Sequence, residues 1–140
     1  MAAGRFPEQH TGRCLCGGVR FEADGAPLWV AHCHCDSCRR ATASAVATFV
    51  CFDDDRVRWT AGERRLFNSS PGVTRSFCGT CGTPLAYQAE RWPGEIHIHL
   101  CALDRPELYP PQVHVFTAER LPWLHIADDA RRYRTLGGDN

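Results

Sequence analysis

The sequence predicts an all-β domain, mainly strands with few short helices, and three observations carry that expectation. Short β-rich stretches recur with Gly, Pro, Asn and Ser between them. Ala45-Val46-Ala47-Thr48-Phe49-Val50-Cys51-Phe52 is a continuous apolar run suited to a well-buried strand. Ile96-His97-Ile98-His99-Leu100 alternates with period two. A chain of 140 residues, 44% hydrophobic and 23% charged, is the size of one domain. We set that domain at residues 11–134, with flexible tails at 1–10 and 135–140.

In chain order, Val19-Arg20-Phe21-Glu22-Ala23 is the first strand, and Leu28-Trp29-Val30-Ala31 follows Gly25 and Pro27. One helix is expected in the first half, from Asp36 as its N-cap through Ser37-Cys38-Arg39-Arg40-Ala41-Thr42. The long apolar run comes next, then Arg56-Val57-Arg58-Trp59-Thr60. Arg64 to Phe67 and Thr74 to Phe77 are two strands joined by a turn at Asn68-Ser69-Ser70-Pro71-Gly72, and Leu85-Ala86-Tyr87-Gln88 continues the series. In the strand at 96–100, Ile96, Ile98 and Leu100 share one face, and both histidines take the other, expected to be solvated. Val113-His114-Val115-Phe116 is the expected last strand, after which Pro122-Trp123-Leu124-His125-Ile126 lays apolar side chains over an open core edge.

Composition excludes several classes of function. Sixteen basic against sixteen acidic residues give a net charge of zero, so no whole-molecule field favours nucleic acid or an acidic membrane. All the basic residues are arginine, which removes a Schiff-base lysine from consideration. There is no secretory signal pattern and no run of apolar residues long enough to span a bilayer, so a soluble, cytoplasmic protein is expected. Nine cysteines are far above average usage, and an odd number cannot all pair within one chain. In a reducing compartment, clustered cysteines point to metal ligands or reactive thiols.

The cysteines sort into three groups. Cys14-Leu15-Cys16 and Cys78-Gly79-Thr80-Cys81-Gly82 offer four thiolates, a C-x-C pair and a C-x-x-C pair. Residues two apart on extended chain point the same way, and Gly79 and Gly82 permit the tight turn that brackets Cys78 and Cys81. Four sulfurs around one ion suit a closed structural zinc site, with iron, two ordinary buried cysteine pairs and a redox-active C-x-x-C as competing readings. Cys33-His34-Cys35-Asp36-Ser37-Cys38 is the second group, three thiolates inside six residues. Three protein ligands leave a fourth position open to a substrate thiol or carbonyl, as in catalytic zinc sites. Two alternatives stay open: His34 or His32 closes the site, or the thiols stay metal-free and oxidise to a disulfide. Cys51 and Cys101, alone beside β runs, are expected in the core.

These motifs resemble the glutathione-dependent formaldehyde-activating family, also called the CENP-V/GFA domain, over nearly the whole chain. Thr11 to Phe21 is similar to the family's opening motif, Cys33 to Arg40 to its central one, and Phe77 to Leu85 to its third. Leu103-Asp104, His114 and Pro122-Trp123-Leu124 also fall where the family has similar residues. Ala43 departs from it, standing where many members carry glycine. The resemblance implies a β-tent-like zinc-binding fold in which Cys14, Cys16, Cys78 and Cys81 hold a structural ion. It implies a second zinc on Cys33, Cys35 and Cys38, the catalytic cysteines, where glutathione and formaldehyde combine into S-hydroxymethylglutathione. The expected activity is that of a carbon–sulfur lyase acting on a small-aldehyde adduct of glutathione or a similar thiol. The alternative is a non-catalytic, zinc-stabilised β binding module. Arg39, Arg40 and Arg75 lie near ligands in sequence and could pair with substrate carboxylates, but proximity along the chain does not place them at the site, and they stay outside the expected set.

Overall fold

The computed structural model of the protein describes residues 6–136. The all-β expectation holds: these residues form eleven strands in two open sheets and one α-helix. Strands β1 (Gln9–Arg13), β2 (Arg20–Asp24) and β5 (Val57–Ala61) make a small antiparallel sheet. The larger sheet contains β3 (Trp29–Cys33), β4 (Ala47–Asp53), β6 (Arg64–Ser70), β7 (Val73–Cys78), β8 (Pro84–Ala89), β9 (Glu95–His99), β10 (Val113–Val115) and β11 (Arg131–Arg132). Its order is β11-β10-β3-β4-β9-β8-β7-β6, antiparallel except that β10 runs parallel to both β3 and β11. Helix α1 (Asp36–Thr42) connects β3 to β4.

Strand β4 is central and buried on both faces, which is why its sequence is a continuous apolar run rather than an alternating one. Val50 and Phe52 join Phe21, Val30, Leu85, Ile96, Ile98 and Tyr109 in the main core. Ala47 and Phe49 point the other way, into a second cluster with Cys33 and Cys38, against which Trp29, Tyr87, Val115 and Phe116 pack. The pairing register lays cross-strand rows over that second face. Arg75, Tyr87, His97, Cys51 and Trp29 stand opposite one another across β7, β8, β9, β4 and β3, and Ala47, Cys33 and Val115 form another row. The rows are four residues apart along β3, about 13 Å at strand rise.

Several expectations are corrected. Strand β1, unpredicted because its residues show no apolar alternation, buries His10 and Gly12. A side-chain carbon at Gly12 would lie 2.2 Å from Phe21 Cζ, so only glycine lets the strand approach that ring. Strand β6 continues through Ser70, leaving Pro71-Gly72 as the turn. The helix is capped by Cys35, whose sulfur accepts from Cys38 N, not by Asp36. Strand β10 is followed by β11, and Trp123 is 66% exposed rather than laid over the core. Cys51 is buried as expected, while Cys101 is exposed. Of the tails expected to be flexible, residues 1–5 and 137–140 lie outside the described residues. Within the described part, Phe6 stacks on Tyr109 and Phe116 N donates to Thr135 O.

Candidate active site

The C-x-C and C-x-x-C pairs meet. Cys14 directly follows β1 and Cys78 ends β7, and the Sγ atoms of Cys14, Cys16, Cys78 and Cys81 lie within 4.8 Å of one another. Sγ of Cys16 is 3.5 Å from that of Cys14 and 3.8 Å from that of Cys78. Four sulfurs at about 2.3 Å from a tetrahedral ion would be about 3.8 Å apart, so the cluster fits one ion. Amide N–H groups of Val19, Gly18, Thr80 and Cys81 donate to these sulfurs at 3.3 to 3.5 Å, which favours thiolates. The Thr83 hydroxyl and amide hold Cys81 down to about 5. Gly82, at φ 82°, makes the turn as expected; Gly79 does not adopt positive φ but packs its Cα under Arg65.

Cys33, Cys35 and Cys38 also converge, their sulfurs within 4.8 Å. Cys33 and Cys35 Sγ are 3.5 Å apart, and the helix cap brings Cys38 back by donating its N–H to Cys35 Sγ at 3.3 Å. The thiols share protons unequally. Hydrogen bonds from Cys33 and then Cys38 pull Cys35 down to about 2, and the same sharing pushes Cys33 up. Neither His34 nor His32 closes this cluster. His34, one residue past β3, turns to the opposite side, where the buried His34 and His114 form a chain that ends on the exposed Asp128. The Asp128 carboxylate only accepts, so His114 Nε2 donates to it at 2.9 Å. His114 Nδ1 then accepts from His34 Nε2 at 2.8 Å, which leaves His34 Nδ1 a buried acceptor without a partner. His32 bonds Thr48 Oγ1 at 2.8 Å.

The cysteine triad opens into a cleft of about 900 Å³ over the second face of the large sheet. Trp29, Phe49, Val113, Val115 and Phe116 give it apolar walls, and Arg75, Tyr87, Trp92, Glu95 and His97 add polar groups. Phe116 holds a left-handed backbone, φ 57°, rare for a bulky residue. The helix exit is also left-handed at Ala43, φ 53°, where Ala43 and Ser44 amides cap Arg40 and Arg39 carbonyls. This explains why glycine would suit that position better.

Sequence reasoning missed part of this site. His97 and His99 do lie opposite Ile96 and Ile98, but that face is the cleft side rather than open solvent, and His97 is buried. Its Nε2 bonds Glu95 Oε1 at 3.0 Å, and its ring packs on Trp29, Tyr87 and Trp92. Burial, then the charge of Arg75, brings His99 down to about 4. Among the arginines near ligands, Arg39 is spent on the His34 and Glu119 carbonyls and Arg40 on Asp36. Arg75 enters the cleft and donates Nη2 to Cys38 Sγ at 3.9 Å. The available signal was an arginine two residues from Val73 and from Phe77, on the strand face those two apolar residues share.

Residues 9–119 match the family described as glutathione-dependent formaldehyde-activating enzyme. An uncharacterized lyase of Schizosaccharomyces pombe is 29% identical, over 72% of this chain and 84% of the relative. The crystal structure of a Rhodobacter sphaeroides protein superposes with a TM-score of 0.58 at 25% identity, covering 67% of this chain and 87% of that one. With the family match running from β1 past β10 and through all three cysteine motifs, the chain belongs to the glutathione-dependent formaldehyde-activating enzyme family.

Proposed function

We propose that the protein is a zinc-dependent carbon–sulfur lyase that joins and separates a small aldehyde and a thiol of the glutathione type, S-hydroxymethylglutathione being the adduct of the simplest pair. The observation that carries this reading is the convergence of three thiols, and no fourth ligand atom among the described residues, in the wall of a large cleft. In this reading Cys14, Cys16, Cys78 and Cys81 hold a structural zinc, and Cys33, Cys35 and Cys38 are catalytic and hold a second. Both donor sets are all sulfur, which suits zinc. Bound at the triad, zinc would supply a Lewis acid that favours the thiolate form of a substrate thiol and polarises a carbonyl.

The chain itself binds and orients. Strand β3 and the α1 cap fix the three sulfurs before any substrate arrives. The apolar walls formed by Trp29, Phe49, Val115 and Phe116 exclude water from the reacting pair, and holding thiol and aldehyde together makes their addition a unimolecular step. The reading suits a reducing cytoplasm, where thiols persist. Native mass spectrometry of protein purified without added metal should count two zincs. Exchange NMR of glutathione with formaldehyde should show acceleration by wild type and none by Cys33→Ser, Cys35→Ser or Cys38→Ser, each still folded with one zinc. Wild type carrying two zincs and giving no acceleration would overturn the glutathione–formaldehyde assignment and favour a binding module.

A further inference from the structure

Arg75 reaches the cysteine triad from β7 and carries a guanidinium nitrogen that nothing satisfies. Its Nε donates to Ser69 Oγ at 3.3 Å and its Nη2 to Cys38 Sγ at 3.9 Å, and its guanidinium carbon lies 5.0 Å from the Tyr87 ring centroid. Three contacts thus fix the plane of the group. Nη1 is buried and has no hydrogen-bond partner. The two carboxylates lining the cleft are engaged elsewhere: Glu95 with His97 and Cys51, Glu119 with the Asp36 amide. A guanidinium stays charged throughout the working pH range, so the cleft holds a permanent, pre-oriented cation with an unused donor. Burying a charged donor unpaired is costly, and native proteins keep such exceptions where function needs them.

We propose that Arg75 is a catalytic residue whose Nη1 donates to the oxygen that turns negative when a thiolate adds to an aldehyde. This rests on the function proposed above. In that step the sulfur–carbon bond forms and the carbon–oxygen π bond breaks, placing its electron pair on oxygen. The proton lost by the thiol ends on that oxygen, and nothing is oxidised or reduced. In the reverse direction the same donor holds the alkoxide as the sulfur–carbon bond breaks. Nη2 already rests on a triad sulfur, so its twin nitrogen lies beside the atoms that gather there. Donors of this kind act because they are aligned before charge develops, and their hydrogen bonds close only with substrate in place.

The test uses Arg75→Met and Arg75→Lys in the full chain, with two thioether probes. S-carboxymethylglutathione puts an anionic oxygen one carbon beyond the reacting position, and S-ethylglutathione has the same thioether without charge. Binding is read from the fluorescence of Trp29 and Trp92, which line the cleft. Wild type should prefer the carboxymethyl probe, and Arg75→Met should weaken it about tenfold or more while leaving the ethyl probe unchanged. In exchange kinetics Arg75→Met should lose about 100- to 1,000-fold in kcat with little change in KM for glutathione. Added guanidinium ion should restore part of it. Native mass spectrometry should still count both metals. Equal weakening of both probes, no preference in wild type, an unchanged kcat, or loss of metal from Arg75→Met would each overturn the proposal; the last outcome would make Arg75 a counter-charge for the triad. If wild type turns over no glutathione and formaldehyde, the proposed function fails, and the probe pair still reads whether Arg75 binds an anionic oxygen.

Discussion

Replacing Cys78 by serine should unfold the protein, and the size of the effect follows from the distance in sequence that its sulfur spans. Cys16 and Cys78 are 62 residues apart yet 3.8 Å apart in space, joining the small sheet's first turn to the end of β7. Tying the ends of a loop that long removes about 4 kcal/mol of chain entropy from the unfolded state. The binding energy of a four-thiolate zinc site, about 10–16 kcal/mol at neutral pH, counts as folding energy, against a typical total stability of about 5–15 kcal/mol. Loss of one ligand therefore removes a share comparable to the whole. Circular dichroism and urea titration of purified Cys78→Ser, beside Cys38→Ser and wild type, measure it. Cys78→Ser should lack a cooperative transition, and excess chelator should bring wild type to the same state. Cys38→Ser should keep a native transition, because Cys33, Cys35 and Cys38 all lie within one β3–α1 segment. A Cys78→Ser protein with the wild-type midpoint would refute the reasoning, and so would equal unfolding by Cys38→Ser.

Three further outcomes are expected. Ala43→Gly should stabilise the protein by about 1 kcal/mol, raising Tm by about 2–4 °C, because the left-handed cap at φ 53° penalises any side chain; a lower Tm would contradict it. Burial keeps His99 neutral down to about 4, against 6.5 when unfolded, so the unfolded state binds the extra proton and stability is lost as pH falls between those values. His99→Gln should accordingly lose about 2 kcal/mol less than wild type between pH 7 and pH 5, read by urea unfolding at each pH. Asp128→Ala removes the acceptor of His114, Arg132 and the Ala130 amide, and should cost about 2–3 kcal/mol. It should also speed chelator extraction of the triad metal but not of the four-cysteine metal, because the Asp128–His114–His34 chain braces the loop between Cys33 and Cys35. Identical extraction rates would show that the chain does not reach the triad.

Both cysteine clusters were legible because ligand spacing is local. C-x-C on extended chain and C-x-x-C around a turn bring their own sulfurs together, whatever the rest of the fold does. The same locality exposed α1, and the continuous apolar run identified β4 as a strand buried on both faces. That Cys14 and Cys16 meet Cys78 and Cys81 was suggested by the four-ligand demand of a closed site, a chemical constraint acting across the chain. Local pattern failed where it had to report what lies opposite. The alternation of Ile96 to His99 gives two faces but not that the histidine face looks into a cleft walled by Trp29, Tyr87 and Trp92. Trp123 reads as a core residue and is exposed, and β1 carries too little apolar pattern to be seen at all. Arg75 is one of sixteen arginines in the sequence. It becomes singular only through register, which places it opposite Tyr87 and within reach of Cys38, while Arg39 and Arg40 turn to backbone carbonyls and Asp36. The sequence thus determined which residues can hold a metal, because that depends on neighbours a few positions away. Tertiary structure decided which charged and aromatic side chains share the cavity with them, because cross-strand pairing joins residues with no relation in sequence.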